Sequence, residues 1–507
     1  MFSKKAFMAL SLAVSFSSSL MAAPLSVECL LRGDCFKGQD VMRHLKSFQK
    51  IAEENGGNRS AGSAGHEMSA NHIAQQLLAA GYNVEMQPFD FMKFEKISAK
   101  FGQEAPSSAQ YEEEKYFNVM TYSGSGTVSA PIKAVDVQLG LGNTSTSGCE
   151  AEDFSGFPKG HIALVQRGTC PFGDKAIHAQ AAGAAGVVVF NQGNAADRMD
   201  LLNGTLSEGT SIKIPVFSVS YKSAVELLEQ EGVVLSMDAN TIVERRVSFN
   251  VIAETKAGNP DSVLMIGAHL DSVKEGPGIN DNGSGSAGIL EVALKMRDVK
   301  VQNKIRFAWF SAEELGLIGS TKYVASLSEA QKSKISLFIN VDMIGSPNYM
   351  IGVYDGDGSA FGTKGPEGSG ALEQLFHSFY ASQGIKSVET ELNGRSDYAA
   401  FSASGIPVGG IFTGAEGQKS EQQAALFGGV AGEAYDACYH KACDDLGNIS
   451  LEALEVNTNA IAYLAHNLSL VTPASRSMMK SNLGMSRVRN AVVFPKHLHC
   501  HGDEHAE

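Results

Sequence analysis

Three apolar runs in the C-terminal half of the sequence each end in side chains that could bind a metal ion. VLMIGAHLD ends at His269 and Asp271, FAWFSAEE ends at Glu313 and Glu314, and LFINVDM ends at Asp342. Imidazole and carboxylate ligands without a thiolate favour zinc or manganese over a cysteine-rich structural site. With two loop residues added, the candidate ligands are His269, Asp281, Glu314, Asp342 and His440.

The ligand set has three carboxylates and Glu313 adds a fourth at the same edge, which indicates more than one cation. Four carboxylates at one partly buried edge cannot all stay ionised without positive charge nearby. Two divalent cations supply that charge, and ions about 3.5–4 Å apart need a bridging carboxylate and activate one water between them. Asp281 is the predicted bridge because it lies in a glycine-rich turn, GPGINDNGSG. Asp271, two residues after His269, is predicted to orient that imidazole.

The adjacent acids Glu313 and Glu314 are predicted to have different roles. Neighbouring residues at a strand end point in different directions, so Glu314 can bind metal while Glu313 faces the attacking water. Glu313 would accept a proton from that water and return it to the leaving group. Tyr439, next to His440, could donate a hydrogen bond to the developing oxyanion.

Residues 283–288, GSGSAG, also match the dinucleotide-binding fingerprint G-x-G-x-x-G. A dinucleotide loop follows its strand directly, so that the helix N-terminus meets the pyrophosphate. Here the strand ends near Asp271, well before Gly283, and Asp281 in between would repel a phosphate. We therefore interpret the match as incidental.

From Asn250 onward, the sequence alternates between strand patterns and helix patterns. Strands alternate with helices predicted over 286–297, 315–327 and 370–383, which indicates a mostly parallel, doubly wound α/β sheet. Such sheets bind ligands at the carboxyl ends of their strands. Residues 40–91 predict a helix–loop–helix–strand opening. Residues 126–247 predict a β-rich insert with one helix, KAIHAQAAGAAG.

Composition and the chain ends indicate an exported protein. The chain has 507 residues, and its formal net charge of −14 argues against nucleic acid or an anionic membrane as partner. Residues 1–22 are predicted to be a secretory signal peptide, so no membrane association is expected after its cleavage. Residues 474–507, with Cys500 and several histidines, are expected to be a solvated or removable tail, and a metal-binding tract is the alternative.

Six of the seven cysteines lie in close pairs, which suits an oxidising compartment. Disulfides that close short loops are the natural interpretation, although sequence alone does not fix the pairing. The expected pairs are Cys29 with Cys35, Cys149 with Cys170, and Cys438 with Cys443.

Five segments carry a family resemblance: IGAHLDSV…GPGINDNGSGSAGILEVA, FAWFSAEELGLIGS, NVDMIG, GRSDYAAF…GIP and ACYHKACDD. They closely resemble the secreted co-catalytic two-zinc aminopeptidases, the aminopeptidase S and aminopeptidase Y group, over about residues 36–125 and 248–470. The insert resembles a protease-associated (PA) domain. The implied organisation is a signal peptide (1–22), a zinc-exopeptidase domain (36–125 and 248–473), a PA insert (126–247) and a C-terminal tail or propeptide (474–507).

The resemblance implies a role for each site residue. One Zn²⁺ would be held by His269, Asp281 and Asp342, and the other by Asp281, Glu314 and His440. Glu313 would be the proton-shuttling base, and Tyr439 would stabilise the tetrahedral intermediate. The Asp281–Asn282 peptide would be cis. Gly394 and Arg395, in the loop NGRSDY, would line the substrate pocket, with Arg395 near the free amino group.

The implied function is removal of N-terminal, leucine-like residues from peptides by a secreted protein that is expected to be a monomer. The main alternative is a carboxypeptidase of the same superfamily, but that activity needs cationic residues to bind a free carboxylate, and the motifs offer only Arg395. One-zinc glutaminyl cyclases and receptor-like relatives without activity are disfavoured because all five ligand positions are filled. The role of the PA insert stays open.

Overall fold

The computed structural model describes residues 26–471, apart from residues 208 and 210. The predicted signal peptide, the tail 474–507 and Cys500 therefore lie outside the described residues. The chain forms two compact units, one built from residues up to Pro88 and from Phe249 onward, the other from Phe89–Ser248. Within the described residues, no helix has the length and apolar character needed to cross a membrane.

The helices and strands follow one another along both units. The helices are α1 (Val27–Arg32), α2 (Gly38–Glu54), α3 (Ala64–Ala79), α4 (Phe172–Ala181), α5 (Tyr221–Leu228), α6 (Gly285–Met296), α7 (Ile318–Ser326), α8 (Glu329–Lys332), α9 (Ser369–Ser382), α10 (Tyr398–Ala403), α11 (Glu421–Phe427) and α12 (Leu451–Leu470). The strands are β1 (Asn83–Ala105), β2 (Ala109–Tyr111), β3 (Phe117–Val119), β4 (Gly126–Val135), β5 (Ile162–Gln166), β6 (Gly186–Phe190), β7 (Val216–Val219), β8 (Val234–Glu254), β9 (Asn259–His269), β10 (Asn303–Phe310), β11 (Ile335–Val341), β12 (Gly352–Tyr354), β13 (Val388–Thr390) and β14 (Val408–Phe412).

The first unit is a mixed, mostly parallel sheet between two layers of helices. Its strand order is β13-β12-β14-β11-β9-β10, followed by the C-terminal end of β8. The pairs β13/β12, β14/β11, β11/β9 and β9/β10 are parallel, whereas β12/β14 and β10/β8 are antiparallel. The predicted α/β fold class is confirmed.

Strand β9 shows why both faces of this sheet are covered. Leu264 and Ile266 pack into a core shared with α2, α3, α6, α9 and α12, whereas Met265 packs with residues of α7 and α10. Because successive strand residues point to opposite faces, a continuous apolar run needs helices on both sides. Strand β9 is thus buried along its C-terminal half and can present His269 at its end.

The second unit contains a parallel ladder of β4, β5, β6 and β7, with β3 and β8 pairing antiparallel at its two ends. Among the described residues of this unit, two α-helices are found, α4 and α5. The expectation of a single helix in this segment was wrong, because Ser220 caps a short helix whose Ala224 and Leu227 are buried. The unit begins at Phe89, earlier than the predicted insert, because β1 continues without a break to Ala105.

Candidate active site

A cavity of about 800 Å³ opens in the first unit where β9, β10 and β11 end. Phe310 lies beside His269 in the parallel register of β10 and β9, so both strands reach the same edge of the sheet. The lining includes all the predicted ligands and catalytic residues: His269, Asp281, Glu313, Glu314, Asp342, Tyr439 and His440. Gly394 and Arg395 line it as well. The edge at which a parallel sheet binds its ligands is therefore the edge that carries these side chains.

The carboxylate of Asp281 lies between two imidazoles. Its Oδ1 atom is 3.2 Å from Nε2 of His269, and its Oδ2 atom is 3.2 Å from Nε2 of His440. Asp342 Oδ1 lies 3.4 Å from the same nitrogen of His269, and Glu314 Oε2 lies 3.0 Å from that of His440. The five side chains thus form two groups of three that share Asp281.

These separations are compatible with side chains that share a metal ion. Zinc bonds of about 2.0–2.2 Å in tetrahedral geometry place two ligand atoms about 3.4 Å apart, close to the distances found here. Glu314 Oε1 and Asp342 Oδ1 are buried without a hydrogen-bond partner among the described residues. Buried oxygen atoms of this kind need a donor or a cation. The residues present therefore fit a pair of divalent cations.

The crowding of acids shows in their pKa values. Burial and the charge of Asp281 raise the pKa of Glu314 to about 8. Burial also raises the pKa of Glu313 well above its ordinary value, and the charges of Glu314 and Asp342 act in the same direction. For His440, burial lowers the pKa, but hydrogen bonds to Asp281 and Glu314 outweigh this effect and raise it to about 10. Positive charge in this cluster would restore the carboxylate form of the acids.

Asp271 contacts both the histidine and the two adjacent glutamates. Its main-chain oxygen accepts a hydrogen bond from Nδ1 of His269 at 3.1 Å, which leaves Nε2 directed at the ligand position. Its carboxylate lies farther from Nδ1, at 3.7 Å, and accepts instead from the backbone N–H groups of Glu313 at 3.2 Å and Glu314 at 3.4 Å. The side chain therefore fixes the backbone that carries the predicted base and ligand.

Tyr439 and His440 lie in a loop closed by the Cys438–Cys443 disulfide. Their rings stack with centroids 3.8 Å apart. The other two disulfides join Cys29 to Cys35 and Cys149 to Cys170, as the spacing predicts. A short covalent loop of this kind limits the positions available to the two side chains.

Arg395 faces Tyr439 and an acid across the cavity. Its Nη2 donates to the Tyr439 hydroxyl at 3.4 Å, and its Nη1 pairs with Glu416 Oε1 at 2.7 Å. The preceding Gly394 has a φ of +81°, a left-handed conformation that favours glycine. The predicted pocket loop thus lies at the cavity, and its guanidinium is directed at the phenol.

Two residues that were not among the predicted site residues hold the candidate ligand side chains from behind. Ser396 donates to Asp342 Oδ2 at 2.6 Å and itself accepts from the side chain of Asn340. The carboxylate of Asp444 accepts from the backbone N–H groups of Asn280 at 2.8 Å and of Asp281 at 3.0 Å. Both residues lie inside motifs that the sequence singled out, but nothing in their type indicated these contacts.

The peptide bond between Asp281 and Asn282 is cis. The side chain of Asn282 binds two backbone groups. Its amide nitrogen donates to the carbonyl of Val341 at 2.9 Å, and its oxygen accepts from the backbone N–H of Met343 at 3.1 Å. The loop of Asp281 is thereby tied to the backbone on both sides of Asp342.

Comparison with known proteins supports the same assignment. The family model described as peptidase family M28 matches residues 250–465, and a PA domain model matches residues 128–227. An aminopeptidase of Pseudomonas aeruginosa is 48% identical over 439 residues, which cover 86% of this chain and 82% of the relative. A probable leucine aminopeptidase 2 of Trichophyton verrucosum is 41% identical, covering 84% and 83% of the two chains.

Solved structures agree with these relatives. The aminopeptidase from Aneurinibacillus sp. strain AM-1 superposes with a TM-score of 0.66 at 26% identity, covering 87% of this chain and 96% of that one. BSAP, a zinc aminopeptidase from Bacillus subtilis, has a TM-score of 0.56 at 25% identity, covering 85% and 95%. The expected zinc-exopeptidase family and its PA domain are confirmed: the chain belongs to peptidase family M28.

Proposed function

We propose that the protein is a zinc aminopeptidase that works with two zinc ions. The observation that carries this proposal is the position of Asp281, whose two carboxylate oxygens each lie 3.2 Å from the Nε2 atom of a different histidine. His269 and Asp342 would bind one ion together with Asp281. Glu314 and His440 would bind the other. The zinc aminopeptidase among the similar structures supports the choice of metal.

The residues around the ions would handle the protons of the reaction. When bound, the two ions would polarise the substrate carbonyl and lower the pKa of a water molecule. Glu313, whose backbone N–H is held by Asp271, would accept a proton from the attacking water and pass it to the leaving amine. Burial, together with the charges of Asp281 and Glu314, raises the pKa of Tyr439, so its phenol keeps a proton to donate to the oxygen that gains charge.

The charges of the cavity favour an amino terminus over a carboxyl terminus. Arg395 is the only lysine or arginine among the described residues that line the cavity, and it is already paired with Glu416. A carboxypeptidase needs a free cation for the terminal carboxylate. The substrate is therefore proposed to be the N-terminal end of a peptide, with its ammonium facing acidic groups.

An apolar wall favours a leucine-like first residue. Met343, Met350, Tyr354 and Tyr435 line the cavity and are each at least nine-tenths buried, and the partly buried Phe412 lines it too. Thioether and aromatic surfaces adapt to branched apolar side chains. The names of two relatives as leucine aminopeptidases point the same way.

We further propose that the protein is exported through the signal peptide at residues 1–22 and acts as a monomer. Three disulfides support an oxidising compartment. N-terminal sequencing of the secreted protein would check export. Light scattering would check the monomer by measuring the molecular mass in solution. A retained N-terminus beginning at Met1 would contradict export with cleavage.

Hydrolysis of leucyl-p-nitroanilide by wild type and Glu313→Gln tests the proposed activity. The substitution keeps the shape of the side chain but removes the base, and we expect kcat to fall about 10²- to 10⁴-fold. Glu329→Gln is the matched control, because that side chain is 90% exposed and does not line the cavity. Full activity in Glu313→Gln would contradict the assigned base.

Blocked substrates test the direction of cleavage. N-acetyl-leucyl-p-nitroanilide is expected to be resistant, whereas a peptide with an amidated C-terminus is expected to be trimmed from its N-terminus. Cleavage rates of lysyl-p-nitroanilide and leucyl-p-nitroanilide compare a cationic with an apolar first residue. Cleavage of the acetylated but not the free-amino substrate would overturn the aminopeptidase proposal.

A further inference from the structure

Arg59 is a fully buried arginine between α2 and α3, in the segment NGGNRSAG. Its guanidinium donates to three main-chain oxygens: Nε to Pro277 at 2.9 Å, Nη2 to Gly278 at 2.6 Å, and Nη1 to Leu270. The group also lies over the ring of Phe48, with its central carbon 5.1 Å from the ring centroid. All three guanidinium nitrogens are thus used on the backbone.

The three acceptors belong to the two chain segments that carry the proposed histidine ligand and bridging ligand. Leu270 follows His269 directly, and Gly278 precedes Asp281 by one short turn. One planar group therefore sets the spacing between the end of β9 and the loop of Asp281. Lysine could not replace it, because a single ammonium does not present three donors in a fixed plane.

The main chain of Arg59 contributes a second connection to the same region. Its N–H donates to Ser272 Oγ at 2.9 Å, and its carbonyl accepts from the N–H of Ser272 at 3.3 Å. Ser272 Oγ lies 3.0 Å from the Gly276 carbonyl, within donating distance. Both the side chain and the main chain of Arg59 therefore contact the segment that leads from His269 to Asp281.

The loop leaves no space for a side chain at position 278. Its φ is +61°, and an added Cβ would lie 2.4 Å from the Asp281 carbonyl oxygen and 2.4 Å from Ser272 Cβ. Glycine is therefore required where the backbone passes the guanidinium.

Arg59 also places a positive charge behind the acids of the site. No carboxylate forms an ion pair with it among the described residues, although Asp271, Asp444, Asp281 and Glu314 raise its pKa against the effect of burial. Burial is the larger effect and lowers the pKa of Arg59 to about 10, so the group stays charged at neutral pH. Burying an unpaired cation is costly, and these acids and carbonyls offset that cost.

We propose that Arg59 is a positioning residue for the metal site, which holds His269 and Asp281 at the spacing that the ions require. It contacts neither substrate nor ion. The proposal rests on the metal site proposed above. It predicts that loss of the guanidinium weakens zinc binding beyond any loss of general stability.

Zinc affinity of Arg59→Met, Arg59→Lys and Lys175→Met, measured by chelator competition, tests this role. Removing a contact behind a metal ligand typically lowers metal affinity about 10- to 100-fold. We expect a loss of zinc affinity in that range for Arg59→Met, and Arg59→Lys should also lower zinc affinity. Lys175 is the matched control, because it is a fully buried cation in the second unit whose Nζ donates to the Ser147 carbonyl at 2.5 Å. Lys175→Met is expected to lower the Tm but to bind zinc as wild type does.

The Tm of each variant, with and without zinc, separates positioning from stability. For a positioning residue, the rise in Tm on adding zinc shrinks in Arg59→Met. An equal fall in Tm with and without zinc, together with unchanged zinc affinity, would overturn the proposal. Failure of both Arg59 variants to fold even with zinc would overturn it too, because Arg59 would then be a residue of the folding core. If wild type itself binds no zinc, the metal site fails instead.

Discussion

Replacement of Arg395 by methionine is expected to slow turnover through Tyr439 rather than through the substrate. Nη2 of Arg395 donates to the phenol oxygen at 3.4 Å, so the phenol O–H is left free to donate to the substrate oxygen. Nη1 is held by Glu416 at 2.7 Å, which fixes the direction of the guanidinium. Methionine keeps an apolar stem but has no donor. The phenol would then rotate, and its O–H would be aligned for only part of the time.

The magnitude follows from the exposure and length of this contact. A hydrogen bond to a charged group contributes about 1.5–3 kcal/mol, but the Arg395 side chain is 60% exposed and its 3.4 Å contact is long. Exposed charged contacts contribute at most about 1 kcal/mol. That free energy corresponds to about a 5-fold fall in kcat. Removal of the hydroxyl in Tyr439→Phe should cost about 10²- to 10³-fold.

A double-mutant cycle on leucyl-p-nitroanilide measures this coupling. We expect Arg395→Met to lower kcat with little change in KM, and to have no further effect once Tyr439→Phe is present. Glu416→Gln should give a smaller loss in the same direction. The same 5-fold loss in the Tyr439→Phe background, or a rise in KM as the main effect, would show instead that Arg395 contacts the substrate directly.

Three further predictions concern the metal ligands, the disulfide and pH. Ser396→Ala removes the 2.6 Å hydrogen bond to Asp342 and should weaken zinc binding about 10-fold in a chelator titration; unchanged affinity would contradict this contact. Replacing Cys438 and Cys443 together by serine should reduce activity at limiting zinc, with recovery at excess zinc, whereas wild-type behaviour would show that the loop is rigid without the bond. Burial raises the pKa of Glu291, but a buried histidine and two nearby cations outweigh it and bring that pKa below 4.5. Its stabilisation, present above pH 4.5, should therefore be lost as pH falls further, so urea unfolding of Glu291→Gln and wild type should converge in acid and differ at pH 7.

Much of this site could be predicted because strand ends are visible in sequence. His269, Glu314 and Asp342 follow apolar runs, and parallel strands bring their carboxyl ends to one edge. The contacts behind the ligands could not be predicted in this way. Arg59 lies more than 200 residues from the carbonyls it binds, and Ser396 reaches Asp342 across 54 residues. Such contacts depend on packing between helices and loops, for which no local pattern exists.

In the fold, too, features with a local sequence pattern could be predicted, whereas features that depend on tertiary packing could not. The alternation of apolar strands and helices predicted the sheet of the first unit, whereas the short helix α5 was missed because its burial depends on the second unit's own core. The start of that unit at Phe89 has no local signal, since β1 runs through it.

Anomalous diffraction at the zinc edge, from crystals grown with zinc, is the decisive measurement for the proposed two-ion site. We expect two peaks about 3.5–4 Å apart, one beside His269 and the other beside His440, with Asp281 between them. A single peak, or two peaks that Asp281 does not bridge, would contradict the proposed site.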